Sequence, residues 1–258
     1  MMPFDHEKRI PGRGMWKVFF WWTVCPVAVW LYLKICYRLK TLGAHRIPAD
    51  GAAIYISNHQ SFLDPMALGI LVYKRPFFPM VRMSLYDSRF GHWFMTGMEA
   101  IPMDRSKGEM GPIKEALNRL KKGHRMIIFP EGTRARDGAM KPFKRGMMLL
   151  IKRAKVPVIP LAIDGAFDAW SPAMKYPRLR GRVMCIAGEP IDYEDLIKDG
   201  PDAAIERIKR EIELLRLEVR AKIRKASKGR LPAPGPGDVP YWERDDQLDE
   251  EGEDESEA

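Results

Sequence analysis

The chain has 258 residues, 46% of them hydrophobic, and a formal charge of +9, enough for one ordinary domain with a substantial core and short appendages. Three cysteines, Cys25, Cys36 and Cys185, make no disulfide framework and fit a reducing compartment. There is no Gly-x-Ser-x-Gly elbow or P-loop, and no cysteine lies near the polar motifs, so the common covalent nucleophiles and nucleotide cradles are set aside.

The charge is unevenly spread. Residues 243–258 carry ten acidic side chains against Arg244 alone, so residues 1–242 hold a net +18. Such a body is drawn to polyanions: a phospholipid surface, nucleic acid or an acidic carrier protein. No nucleic-acid motif accompanies it, and no nucleic acid partner is expected.

Residues 1–14, with Pro3, Pro11, Gly12 and Gly14, read as a polar arm. From Val18 to Leu33 the chain is almost wholly apolar, with Trp16, Phe19, Phe20, Trp21 and Trp22 at one end and Lys34, Arg38 and Lys40 at the other. As a helix this run reaches roughly 24 Å, short of the approximately 30 Å hydrocarbon core of a bilayer. Pro26 is expected to bend or break it. Residues 15–40 are therefore expected to form a membrane-anchoring helical segment that lies in one leaflet or re-enters it, with aromatic rings and cations at headgroup level. A tilted single span and a buried core helix are the alternatives. No small-residue cleavage site marks a signal peptide, and the cationic flank favours a catalytic part on the cytoplasmic side.

From Thr41 to residue 228 strands and helices alternate, which predicts an α/β domain with a largely parallel sheet flanked by helices. Ala52 to Ser57 is a short buried strand, and a helix enters at Pro65. Phe77–Arg82 and Ala100–Met103 read as strands around a helix over 86–96. A helix over 110–122 ends at Gly123, then follow a strand over 125–129, a helix over 143–154, and strands over 158–163 and 182–187. Asp202 to Lys225 is a long charged helix whose Ile205, Ile208, Ile212, Leu215, Val219 and Ile223 keep helical spacing. Residues 229–258 read as a Pro/Gly linker and an acidic, disordered tail, solubilising or competing for the basic face.

Between the strand at 52–57 and the helix at Pro65 stands Asn58-His59-Gln60-Ser61-Phe62-Leu63-Asp64-Pro65. A neutral imidazole accepts a hydroxyl proton near pH 7, and a carboxylate on its other nitrogen fixes the tautomer and stabilises the imidazolium. His59 is thus a candidate general base and Asp64 its orienter. Asp64 before Pro65 also suits a helix N-cap, and His59 a merely hydrogen-bonded residue.

Three further blocks follow: Ile101-Pro102-Met103-Asp104-Arg105, Phe129-Pro130-Glu131-Gly132-Thr133-Arg134 and Val156-Pro157-Val158-Ile159-Pro160-Leu161. In this order and spacing the four blocks resemble the glycerolipid acyltransferases, specifically the 1-acylglycerol-3-phosphate acyltransferases, over residues 40–190. The resemblance implies acyl transfer from a thioester to the hydroxyl of lysophosphatidic acid, with acyl-CoA or acyl carrier protein as co-substrate, no cofactor and no metal. It implies His59 and Asp64 as catalytic residues. Arg105 and Arg134 hold the acceptor phosphate, and Arg82 stands where a lysine is common. Glu131 binds an acceptor hydroxyl or fixes the arginines, Gly132 permits a tight turn, and Thr133 bonds into it. Asn58 or backbone N–H groups are candidates for the oxyanion, and Lys144 and Arg145 for a donor phosphate. Ser84-Leu85 and Pro102 depart from the family pattern beside the acceptor site. Other lyso-lipid acceptors, glycerol 3-phosphate and a non-catalytic lipid-binding role are the alternatives.

Overall fold

The structure, a computed structural model, describes Trp16 and residues 19–104 and 110–244. The expected polar arm at 1–14 and acidic tail at 245–258 lie outside the described residues. Seven strands form one sheet: β1 (Lys40–Leu42), β2 (Ala53–Ser57), β3 (Phe77–Arg82), β4 (Ile101–Met103), β5 (Arg125–Ile128), β6 (Val158–Asp164) and β7 (Met184–Ala187), in the order β1-β7-β6-β2-β5-β3-β4. Every pairing is parallel except β6 with β7. The sheet is therefore mixed, with β1 and β7 running against the other five.

The helices are α1 (Cys25–Tyr37), α2 (Asp64–Leu71), α3 (Arg89–Gly97), α4 (Met110–Lys121), α5 (Met147–Ala154), α6 (Ala166–Trp170), α7 (Tyr193–Ile197) and α8 (Pro201–Ala226). Strand side chains alternate between the faces of the sheet. On β2, Ile54 and Ile56 enter a core shared with α4, α5, α7 and α8, while Ala53 and Tyr55 enter a second core with α1, α2 and α6. The central strands are covered on both sides, which is why β2 and β6 are buried along their whole length.

Pro26 does not break the N-terminal helix. A single π turn over Phe20–Val24 runs directly into α1, and the Cys25 N–H bonds the Phe20 carbonyl five residues back. The wider turn accommodates the proline, which stands at the start of α1 where a missing N–H costs least. Helix continues to Tyr37, four residues past the end of the apolar run and within the expected segment 15–40, and closes with Arg38 at φ 48°. Leu33 and Tyr37 are buried, but Phe20, Val24, Val27, Leu31 and Ile35 form an exposed apolar stripe. Among the described residues no helix is long and apolar enough to cross a membrane.

The segment expected as a Pro/Gly linker is instead packed over its described part. Residues 231–244 fold back on α8, with Tyr241 buried and its hydroxyl bonded to Glu206. Asp238 accepts from Arg220 at 2.6 Å and pairs with Arg224 at 2.7 Å. Prolines and glycines here supply tight turns, while the polar anchors come from α8.

Candidate active site

β2 ends at Ser57 in the middle of the sheet, and the next six residues make the turn into α2. The turn is held by its own side chains. Asn58 Nδ2 donates to the Ile163 carbonyl at 2.9 Å and its Oδ1 accepts from the Ile163 N–H at 3.0 Å, extending the sheet by a side chain. Gln60 Nε2 donates to the same carbonyl at 2.7 Å, and Ser61 Oγ to that of Trp170 at 2.7 Å. Asn58 is therefore anchored to β6 through both ends of its amide.

His59 stands between these anchors. Its Nδ1 lies 2.8 Å from Asp64 Oδ2, and its ring stacks on Phe129 with centroids 4.2 Å apart. Asp64 is fully buried, and the same Oδ2 accepts from the N–H groups of Gln60 at 2.6 Å and Ser61 at 2.8 Å. The helix-cap role is absent: Leu63 is the N-cap residue, and the Asp64 carboxylate faces back to the turn. Its Oδ1 has no hydrogen-bond partner among the described residues. A carboxylate acceptor makes Nδ1 the donor, so Nε2 carries the lone pair.

The block after β5 closes over this turn. Glu131 is buried, and its Oε1 accepts from the His59 N–H at 2.8 Å while Oε2 accepts from the Lys141 N–H at 3.2 Å. It thus braces two loops, and among the described residues it forms no ion pair with Arg134. Burial pushes its carboxyl well above the usual carboxylate range, against the pull of the two amides and with the help of the Asp64 charge. The Ala135 N–H adds a bond of 2.8 Å to the His59 carbonyl. Gly132 sits at φ 79°, and a Cβ there would lie 2.9 Å from Lys144 Cε. Thr133 is half-buried beside it.

Arg134 lies flat on Phe62, 3.5 Å from the ring centre. Burial lowers its pKa; the Asp64 charge opposes this and the Arg82 guanidinium reinforces it. Arg82 is exposed at the end of β3. Arg105 lies outside the described residues. Of the two candidate donor contacts, Lys144 lies against Gly132 at the site, whereas Arg145 turns away to Asp202 at 3.3 Å on α8.

One supporting network escaped the sequence. Asp164 ends β6 and is buried against α8, where Arg216 Nη1 and Arg220 Nη1 each donate to it at 3.0 Å. Glu213 holds Arg216 by two bonds of 2.7 and 2.9 Å. These ions fasten the strand end whose Ile163 backbone carries Asn58 and Gln60. The available signal was the spacing of Glu213, Arg216 and Arg220, which puts all three on one side of α8.

The acyltransferase family model matches residues 38–164, from the start of the sheet through Asp164. Over that stretch the chain is similar to the acyltransferase family. Among acyltransferases that it resembles, a chloroplastic 1-acyl-sn-glycerol-3-phosphate acyltransferase of Brassica napus is 32% identical over 158 residues, 60% of this chain and 45% of that one. The 1-acyl-sn-glycerol-3-phosphate acyltransferase of Bacillus subtilis is 26% identical over 171 residues, 66% of this chain and 82% of that one. The chain thus spans less than half the length of the chloroplastic relative. The crystal structure of a Thermotoga maritima 1-acyl-sn-glycerophosphate acyltransferase superposes with a TM-score of 0.64 at 21% identity, over 82% of this chain and 83% of that one. That likeness is one of fold, and it spans the mixed sheet and its flanking helices.

Proposed function

We propose that this acyltransferase moves a fatty acyl chain from an acyl thioester to the free hydroxyl of lysophosphatidic acid, giving phosphatidic acid, with His59 as general base. The observation that carries the reading is the contact between His59 Nδ1 and Asp64 Oδ2 at 2.8 Å, on a carboxylate already fixed by two backbone donors. Nε2 takes the hydroxyl proton as the alcohol oxygen attacks the thioester carbonyl; the tetrahedral intermediate then expels the thiolate, which the imidazolium protonates. No covalent enzyme intermediate is needed. A base so positioned contributes on the order of 10²- to 10⁴-fold in rate.

Arg134 is assigned to the acceptor phosphate with Arg82, and Arg105 joins them on the family resemblance. Stacking on Phe62 leaves the in-plane N–H groups of Arg134 to the ligand. Glu131, Gly132 and Thr133 shape the loop that carries Arg134, and Lys144 faces the donor. The donor is acyl-CoA or acyl carrier protein. The exposed stripe on α1 supports a membrane-associated enzyme whose helix rests in one leaflet, and the cationic flank at Lys34, Arg38 and Lys40 favours a catalytic part on the cytoplasmic side.

The test is acyl transfer by the purified protein in mixed micelles, from oleoyl-CoA and from acyl carrier protein, to lysophosphatidic acid and a panel of other lyso-lipids. Transfer to lysophosphatidic acid that falls about 10²-fold or more in His59→Ala is the expected result. Full activity in that variant would overturn the assignment of the base, and transfer only to another lyso-lipid would move the acceptor.

A further inference from the structure

A pocket of about 250 Å³ opens at the C-terminal end of α1, away from His59. Trp30, Leu39, Leu42 and Ile70 wall it, and Lys34 and Lys40 stand at its edge. Both lysines are exposed, and Lys34 Nζ makes only a long contact of 3.5 Å with the Leu39 carbonyl. The register Lys40↔Met184 and Asp164↔Met184 puts Lys40 at the same end of the sheet as the catalytic turn. β7 and β6 lie between β1 and β2, so the pocket stands roughly 14 Å to the side, at three strand spacings.

A second element meets this corner. The loop between α6 and β7 is tied to the end of α1 by backbone bonds from Gly181 to Cys36 at 3.1 Å and from Val183 to Tyr37 at 3.0 Å. It presents Lys175, Arg178, Arg180 and Arg182, none of which forms an ion pair among the described residues. The sequence contains no acidic side chain from Met15 to Ala49 or from Ala169 to Gly188, so neither stretch supplies a counter-charge of its own. Between them Tyr176 and Leu179 are 72% and 67% exposed. An apolar wall, a tryptophan and clustered unpaired cations suit an amphiphilic anion better than a soluble one.

We infer that the α1–β1 corner binds the phosphate-bearing headgroup of an anionic phospholipid. The headgroup phosphate meets Lys34 and Lys40, its glycerol and upper acyl carbons lie along Trp30, Leu39 and Ile70, and the 175–182 loop docks on the surrounding headgroups. This rests on the reading of α1 as a bilayer-facing helix and adds a lipid preference to it. The exposed α1 stripe runs up to the pocket through Val27 and Leu31, so the occupant is continuous with the leaflet that covers the stripe.

The experiment is flotation of the full chain with phosphatidylcholine vesicles, with and without a minor fraction of phosphatidylglycerol. The variants are Lys34→Gln/Lys40→Gln and, separately, Arg178→Gln/Arg180→Gln/Arg182→Gln. Each basic side chain near an anionic surface is worth about five-fold in partition, so the lysine pair should lose roughly 30-fold on anionic vesicles. Its binding to phosphatidylcholine alone should stay at the wild-type level. An equal loss on both vesicles, or no loss on either, overturns the site. Potassium phosphate and potassium chloride at matched ionic strength should weaken wild-type binding equally; specific displacement by phosphate overturns the lipid in favour of the free anion. Acyl transfer in detergent micelles should be unchanged in both variants. A wild-type chain inactive in micelles would instead overturn the acyl-transfer reading and leave the flotation result standing.

Discussion

Asp64 opens α2, yet its carboxylate serves the residues before it. One oxygen receives His59 Nδ1 and the N–H groups of Gln60 and Ser61, so a single atom fixes the ring and the turn that carries it. Asp64→Asn keeps the size, loses the charge and turns a donor toward other donors. The expected result is a kcat at least about 100-fold lower with KM little changed, and a loss of roughly 1–3 kcal/mol in stability. A normal kcat in this variant would detach Asp64 from the orientation of the imidazole. Glu131 gives a pH dependence of another kind. Burial raises its folded-state pKa above the ordinary 4.5, so the folded chain holds that proton more tightly than the unfolded one. Its contribution is complete below about 4.5 and is lost as pH rises through the raised folded value. Melting temperatures of wild type and Glu131→Gln across that range should show the wild-type advantage shrinking with rising pH; a constant difference would contradict the shift. The His59 and Asp64 pair was legible because it lies five residues apart in one turn. The bracing by Glu131 was not, because its partners are backbone amides reached only through the fold.

At the scale of elements, periodicity carried most of the architecture. α8 buries Ile208, Ile212, Leu215, Val219 and Ile223, all read from spacing, and β2, β3, β5 and β6 stand where their apolar runs put them. The three-residue β1 was too short to give a pattern, and the reversed direction of β7 depends on its neighbours. Composition misled at 231–244, because prolines and glycines signal a turn-rich path and say nothing of what the path packs against. Asp238 bonds Arg220 at 2.6 Å and Arg224 at 2.7 Å, and the Tyr241 N–H reaches Glu213 at 3.2 Å, so the segment closes the same network that fastens the end of β6. Removing one partner of such a group strands the other charges. Asp238→Ala should therefore lower the melting temperature and speed proteolytic cleavage within 231–244. An unchanged cleavage rate would show that the apolar contacts of Tyr241 and Trp242 hold the segment without the ions.

At the scale of the molecule, the described residues leave an apolar face of α1 exposed. Val27 and Leu31 on α1 are 47% and 44% exposed and Ile35 is 75% exposed, while Trp21 packs on Trp93 and Phe94 of α3 and fixes the helix to the body. The helix is thus held rigidly with one face outward. Burying a large aliphatic side chain completely is worth about 1.5–3 kcal/mol, and these three have roughly half of their surface left to bury, about 1 kcal/mol each. Val27→Ser/Leu31→Ser/Ile35→Ser should then lose on the order of 100-fold in partition onto neutral phosphatidylcholine vesicles. The same variant should melt near the wild-type temperature, because none of the three side chains belongs to either core. That combination separates a face made for lipid from one made for the protein interior. A large fall in melting temperature with unchanged vesicle binding would mean that α1 serves the fold alone, and that the basic surface of the chain reaches the bilayer by another face.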